Sequence, residues 1–286
     1  MEVRFGPAGK PIGLKSKELK DIPPFLKQCK LNAMEYEAVR SVKISEDKAR
    51  SLGKLAKEYD ILLSLHAPYA LNLVSMDEEK VKGSINRLLL AVKAAYWMGA
   101  YRVVFHPGYY GDLEPKEALR KVIDALSEVV EKMREERIKG PILSPETTGK
   151  VKQVGSLEEV VEMAKALGTK YCIPTIDFAH IYARTCGEKL RSVSEFVEVL
   201  EYVEDELGSV AVSPLHVHFS EIEYGQGGEL RHHPIGSGYG PKFEQLADAL
   251  IEVGYSAVII SESPLLEEDA IKMRDILFSR LKLKEG

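Results

Sequence analysis

A (β/α)8 barrel, an α/β TIM-barrel architecture, is the fold this sequence predicts, on three observations. Eight short β-type runs follow one another along 286 residues, and most are separated by segments with apolar residues at helical spacing. The length suits one such barrel. No dinucleotide turn follows the first run: "FGPAGKPIG" has neither GxGxxG spacing nor a Walker A lysine, which disfavours a doubly wound open sheet.

Taken in order, the strand runs are "VRFG" (3–6), "AMEYEAV" (33–39), "ILLSLH" (61–66), "RVVFH" (102–106), "PILSPE" (141–146), "CIPTID" (172–177), "PLHVHFS" (214–220) and "AVIISE" (257–262). Helical spacing is clearest at Leu119, Val122, Ile123, Leu126, Val129, Val130 and Met133. A second helix carries Val81, Ile85, Leu88, Leu89 and Val92 after "SMDEE", where Ser75 or Asp77 supplies a cap. A third carries Phe196, Val197, Leu200 and Val203. The stretch 220–256 is the irregular unit, with a long glycine-rich loop expected before its helix.

Residues 1–286 contain no linker, low-complexity segment or short-period repeat, so one domain is expected. The net charge of −5 argues against a generally basic nucleic-acid coat, though it permits a local basic rim. No apolar run reaches bilayer length and the N-terminus lacks a signal-peptide pattern, so no membrane association is expected. Cys29, Cys172 and Cys186 are odd in number and lack CxxC spacing, which points to reduced thiols in a cytoplasmic protein. Cys172, inside an apolar run, is expected in the core.

Polar residues fall at the strand ends. His66, His106, Glu146, Asp177 and Glu262 each close a run, and His218 stands just before the end of its own. In a (β/α)8 barrel those ends converge on one mouth. A lone histidine there is ordinarily a hydrogen-bonded structural residue; six imidazoles and carboxylates on six strands predict a metal centre. None of the seven histidines falls in an identified helical pattern. Imidazole and carboxylate without thiolate suit Zn²⁺, Mn²⁺ or Fe²⁺ better than Mg²⁺ or Ca²⁺. One ion uses three or four protein ligands, so this donor count predicts two or three.

Within "LHVHF" the strand period places His216 and His218 on one face, His216 about 6.6 Å deeper at roughly 3.3 Å per residue. His218 is therefore the expected ligand, and His216 fills the core or stands behind it. In "IDFAH", Asp177 and His180 can face neighbouring ions from one turn. In "RHHPIG" only one of His232 and His233 turns inward easily. Glu35 and Glu37 share a face of strand two and are expected to ion-pair inside the barrel. Tyr69 in "HAPY" is either a packing residue or an aromatic platform for a nucleotide. Tyr109 and Tyr110 are core or rim residues, and Arg40 is a candidate phosphate contact.

These segments resemble the endonuclease IV family of apurinic/apyrimidinic endonucleases, within the xylose-isomerase-like barrels. The likeness runs from "HAPY" to "SES" and is carried by His66 in "LHAPYALNL", His106 in "FHPG", Glu146 in "PETTGKVKQVGS", and Asp177 with His180 in "IDFAH". It continues through His218 in "HFSE", His232 in "RHHPIG" and Glu262 in "ISES". The resemblance implies three zinc ions: one on His66, His106 and Glu146; one on Glu146, Asp177, His218 and Glu262; one on His180 and His232. It also implies damaged double-stranded DNA as partner, with Tyr69 against the lesion, and needs no obligate protein partner. The chain departs from the family at Leu230, where an aspartate is usual two residues before the position of His232; adjacent Glu229 is the candidate substitute.

Two functions follow as expectations. One is a metal-dependent phosphodiesterase that cleaves DNA 5′ to an abasic site, with Glu146 orienting or deprotonating the nucleophile. The other is a sugar isomerase or epimerase using one divalent ion on Glu146, Asp177, His218 and Glu262. The second leaves His66, His106, His180 and His232 without a task.

Overall fold

The computed structural model describes residues 1–16 and 18–285. Among them twelve strands occur: β1 (Val3–Pro7), β2 (Ala33–Glu37), β3 (Leu62–His66), β4 (Arg102–Phe105), β5 (Gly108–Tyr109), β6 (Ile142–Pro145), β7 (Gln153–Val154), β8 (Thr175–Asp177), β9 (Leu215–Phe219), β10 (Glu221–Gly225), β11 (Gly228–His233) and β12 (Ala257–Ser261). The α-helices are α1 (Ile22–Gln28), α2 (Glu46–Glu58), α3 (Glu78–Met98), α4 (Pro115–Glu135), α5 (Leu157–Leu167), α6 (Phe178–Arg184), α7 (Val193–Leu207), α8 (Phe243–Val253) and α9 (Glu267–Glu285).

Eight of the strands form the barrel, all parallel. β1, β12, β9 and β8 pair in one run, and β2, β3, β4 and β6 in another. The runs join at both sides. A bridge links Ala8 to Glu35, with Gly9 N donating to Glu35 O at 2.8 Å, and a bridge between Glu146 and Thr175 joins β6 to β8. Gly6 makes the first closure sterically feasible, because a Cβ there would lie 1.8 Å from the carbonyl oxygen of Ala33.

Strand alternation divides the core. Phe5, Leu63, Leu65, Val103, Phe105, Leu143, Ile176, Val217, Phe219 and Ile259 are buried in the apolar shell beneath the helices. The barrel interior instead holds Glu35, Ser64, Ser144, Thr175 and His216, all buried. They bond in two sets: Ser64 Oγ donates to Glu35 Oε2 at 2.7 Å, with His216 Nε2 also on Glu35, and the Ser144 and Thr175 hydroxyls meet at 2.7 Å. Branched apolar side chains usually fill this space; here Val258 and Ile260 share it with a hydrogen-bonded polar column. Cys172 is buried, as its apolar surroundings predict.

Helix ends follow local chemistry. Asp77, rather than Ser75, caps α3 by accepting from Glu79 N and Lys80 N, and Gly99 closes that helix at φ 69°. Ser192 and Glu195 form a reciprocal capping box on α7. Two expectations are corrected. The stretch after β9 is not simply a glycine-rich loop: β10 and β11 form an antiparallel hairpin, because "EIEYGQGGELRHH" alternates on both sides of a two-residue connection at 226–227. His180, expected outside any helix, lies in the first turn of α6, whose N-cap Asp177 accepts from His180 N at 2.7 Å. Among the described residues, no helix is long and apolar enough to cross a membrane.

Candidate metal centre

The C-terminal ends of the strands bring the expected donors to one mouth. His66 and Asp177 are the last residues of β3 and β8; His106, Glu146 and Glu262 each follow β4, β6 and β12 by one residue; His218 is the penultimate residue of β9. Glu146 sits at the centre. Its Oε2 lies 3.1 Å from His66 Nε2 and 2.9 Å from His106 Nε2, and its Oε1 lies 3.2 Å from both His218 Nδ1 and His180 Nδ1. Glu262 Oε1 is 3.0 Å from His218 Nδ1, and Glu262 Oε2 is 3.8 Å from His232 Nε2. Four groups have donor atoms within 4.8 Å of one another: His66, His106 and Glu146; Glu146, Asp177, His218 and Glu262; His180, His232 and Glu262; and, deeper in the barrel, Glu35, His216 and His218.

The histidine tautomers make this donor set fit cations. His66 Nδ1 faces Ala67 O at 2.8 Å and His180 Nδ1 faces Thr147 O at 2.9 Å. A carbonyl only accepts, so each Nδ1 carries the proton and each neutral ring keeps its Nε2 lone pair. That lone pair points at carboxylate oxygen: His66 Nε2 at Glu146, and His180 Nε2 at Glu229 Oε2, 3.6 Å away. His232 Nδ1 lies 2.7 Å from Ser220 Oγ, a hydroxyl able to accept its proton, and Nε2 is turned to the cluster. Lone pairs facing lone pairs repel unless a proton or metal ion lies between them. Outer nitrogens held by protein acceptors are the usual setting of metal-ligating histidine. Asp177 Oδ2, buried without a hydrogen-bond partner, adds a waiting ligand atom.

Without ions the cluster must share protons. Burial disfavours a charged ring at His66, but Glu37, Glu146 and Glu35 outweigh it and raise its pKa to about 10. His180 and His218 are likewise raised against burial, chiefly by Asp177 and by Glu35 with Glu262 respectively. Burial pushes the Asp177 carboxyl up to about 7, with Glu262 and Glu146 adding repulsion. Burial similarly raises Glu37 to about 8. For Glu146, burial opposes ionisation, yet His106 and His218 hold its pKa well below the usual carboxylate range. His216 is different: burial lowers its pKa to about 4, so the ring is neutral.

Glu229 reaches the site through a β-bulge. Ile222 and Tyr224 are two apart on β10 and share a face, while their partners on β11, His232 and Glu229, are three apart. The extra residue is Leu230, which bulges out and is 65% exposed. The bulge therefore puts Glu229 and His232 on one face, with Glu229 Oε1 3.7 Å from His232 Nε2. His233 turns the other way, to Glu223 Oε2 at 3.1 Å and to the ring of Tyr239, stacked at 3.9 Å.

A cavity of about 320 Å³ opens over the cluster, lined also by Tyr69, Tyr109, Lys150 and Gln153. Tyr69 is half exposed, its ring 5.0 Å from that of His66 and its hydroxyl donating to Glu37 Oε2 at 3.3 Å. Tyr109 stands on the rim, whereas Tyr110 donates to Glu159. Arg40 is exposed on the bend after β2 and does not line this cavity. Glu37, expected to ion-pair in the interior, is instead the register partner of His66 and sits at the mouth; the strand-end rule applied to "AMEYE" finds it. Lys150 and Gln153 come from the loop after β6, where spacing carries no signal. The rim between β11 and α8 hangs on Glu221, whose carboxylate accepts from Gly236 N, Ser237 Oγ, Gly238 N, Tyr239 N and Gly240 N.

A parallel barrel with a carboxylate–imidazole mouth defines a known class. A model described as xylose isomerase-like TIM barrel matches residues 24–279, and the chain belongs to that family. Relatives include an uncharacterized protein of Methanocaldococcus jannaschii, 38% identical over 269 residues that cover 93% of this chain and 94% of the relative. A probable endonuclease 4 of Aquifex aeolicus is 28% identical over 198 residues, covering 68% and 67%. Endonuclease IV from Thermus thermophilus superposes with a TM-score of 0.71 at 21% identity, covering 99% of this chain and 100% of that one. A D-tagatose 3-epimerase-like protein gives 0.71 at 25% identity, covering 98% and 97%. The endonuclease IV resemblance read from the motifs is thus met by relatives of that name, at the identity of a divergent member.

Proposed function

We propose that the protein is a metal-dependent phosphodiesterase that hydrolyses DNA 5′ to abasic sites and leaves a 3′-hydroxyl. Three divalent ions are assigned, zinc first and manganese as the alternative. His66, His106 and Glu146 would hold one; Glu146, Asp177, His218 and Glu262 a second; His180, His232 and Glu229 the third. When bound, such ions supply Lewis acidity that activates water and neutralises the scissile phosphate. Glu146, touching four imidazoles, is the residue that fixes the groups relative to one another and orients the attacking water. Lys150 offers positive charge to a phosphate, and Tyr69 a ring face to the nucleotide left without a base.

The observation that carries this reading is the donors in excess of one ion's needs. The endonuclease-named relatives support it. A sugar isomerase or epimerase is the second reading, favoured by the epimerase-like neighbour and by the self-sufficient group Glu146, Asp177, His218 and Glu262. It gives His66, His106, His180 and His232 no role. The test is incubation of metal-loaded protein with a duplex bearing one abasic site, His106→Ala as control, alongside metal counting. Incision 5′ to the site with two or three ions per chain is expected. No incision at any temperature, or a single exchangeable ion with epimerisation of a ketose, overturns the proposal.

A further inference from the structure

The polar column inside the barrel leads directly to the mouth. Tyr101 OH lies 2.6 Å from His216 Nδ1, and His216 Nε2 lies 3.0 Å from Glu35 Oε2. Glu35 Oε1 then lies 2.9 Å from His218 Nε2, and neither of those two atoms has a hydrogen-bond partner elsewhere among the described residues. The approach is off the line of an ideal hydrogen bond, yet each atom is the other's only recourse. The opposite ring nitrogen, His218 Nδ1, faces Glu146 and Glu262. Glu35, His216 and His218 are fully buried. Arg102, also buried, stacks its guanidinium 5.2 Å from the Tyr101 ring centroid, so a positive charge stands at the inner end of the column.

We propose that Glu35 and His216 are positioning residues for His218: Glu35 receives the Nε2 proton, so the Nδ1 lone pair points at the ion shared with Glu146, Asp177 and Glu262. This rests on the metal reading above. The chemistry of the chain fixes its direction. A carboxylate accepts only, so His216 Nε2 must donate to Glu35, and His216 Nδ1 must accept from the Tyr101 hydroxyl. Ser64 Oγ, donating to Glu35 Oε2, completes the hold and leaves Oε1 for His218. Donation converges on Glu35 from both sides, from Tyr101 through His216 at the inner end and from His218 at the mouth. Outer partners of this kind set both ring orientation and ligand basicity. The same donors can be arranged as another cation site, since Glu35, His216 and His218 atoms also lie within 4.8 Å. Against that, Glu35 Oε2 and both His216 nitrogens are already engaged.

Glu35→Gln is the main test, because it keeps shape while removing the charge and replacing one of the two acceptors by a donor. Zinc affinity is read by competition with a chromophoric chelator, and the His218 tautomer by long-range ¹⁵N–¹H correlation of the imidazole. Zinc-loaded wild type is expected to show a protonated Nε2 and an unprotonated Nδ1. Glu35→Gln is expected to lose about ten- to a hundredfold in affinity for one ion, the others unchanged, with a mixed tautomer. Tyr101→Phe, which removes only the far hydroxyl, is expected to weaken the same ion less. Glu35→Asp should restore part of the loss. Equal affinity and an unchanged tautomer in Glu35→Gln overturn the relay. If Glu35→Gln does not fold, unchanged affinity and tautomer in Tyr101→Phe do so. Loss of a whole extra ion in Glu35→Gln would also overturn it, as a cation site in the column. Wild type that binds no zinc instead overturns the metal reading on which the relay rests.

Discussion

On the proposed metal reading, protons and metal ions would compete for the same lone pairs at this mouth, and the geometry sets how strongly. In the ion-free protein His66, His180 and His218 hold protons well above neutrality, the first up to about 10. Each belongs to a different group, so loading any one group displaces one imidazole proton. Apparent zinc affinity should then fall about tenfold, or roughly 1.4 kcal/mol, for each pH unit between 8 and 7. The group containing Asp177, whose carboxyl titrates at about 7, gains a second competing proton below that value. Its affinity should fall toward a hundredfold per unit between pH 7 and 6. Isothermal titration in buffers of different ionisation enthalpy counts the protons directly, and chelator competition at pH 6, 7 and 8 measures the slope. About three protons released at pH 7.5 for three ions is the expected result. Affinity independent of pH, or proton uptake on loading, would refute the electrostatic account of the cluster.

Stability of the ion-free protein should run the opposite way. Raised imidazole pKa values contribute stability that is full below about 6.5 and lost as pH rises through the folded values, so the melting temperature after chelation should fall from pH 7 to 10. Glu146→Gln should lower incision at an abasic site at least about a thousandfold, near 4 kcal/mol, in single-turnover assays. Tyr69→Ala should weaken binding of an abasic duplex at least about fivefold, from a lost stacking contribution of about 1–3 kcal/mol, with metal content unchanged. Phe243→Ala should lower unfolding free energy by about 3–5 kcal/mol in urea titration, since that buried ring packs edge-on against Phe5 and Phe219.

The barrel was legible because strand and helix periods differ and each run was short enough to be one or the other. Placement of His66, His106, Glu146, Asp177, His218 and Glu262 at the mouth followed from their positions at strand ends, which needs no knowledge of packing. What escaped depended on tertiary geometry. Whether Glu229 faces His232 turns on the bulge at Leu230, and spacing alone gives the wrong phase. The hairpin was hidden by its glycines, which read equally as a loop. Asp177 belongs to strand and helix at once, so the helical start that carries His180 was masked by the strand before it. The polar interior was only half visible, because Glu35 and His216 are far apart in sequence and meet across the barrel.

Glu221 has a consequence for how this protein meets anything large. One carboxylate gathers five donors from residues 236–240, so the lip beside His233 and Tyr239 is already set in the free molecule. An arriving ligand would not have to freeze that segment, and the entropy of arranging it is settled when the chain folds. Encounter on this side of the barrel is then a matter of matching a finished contour.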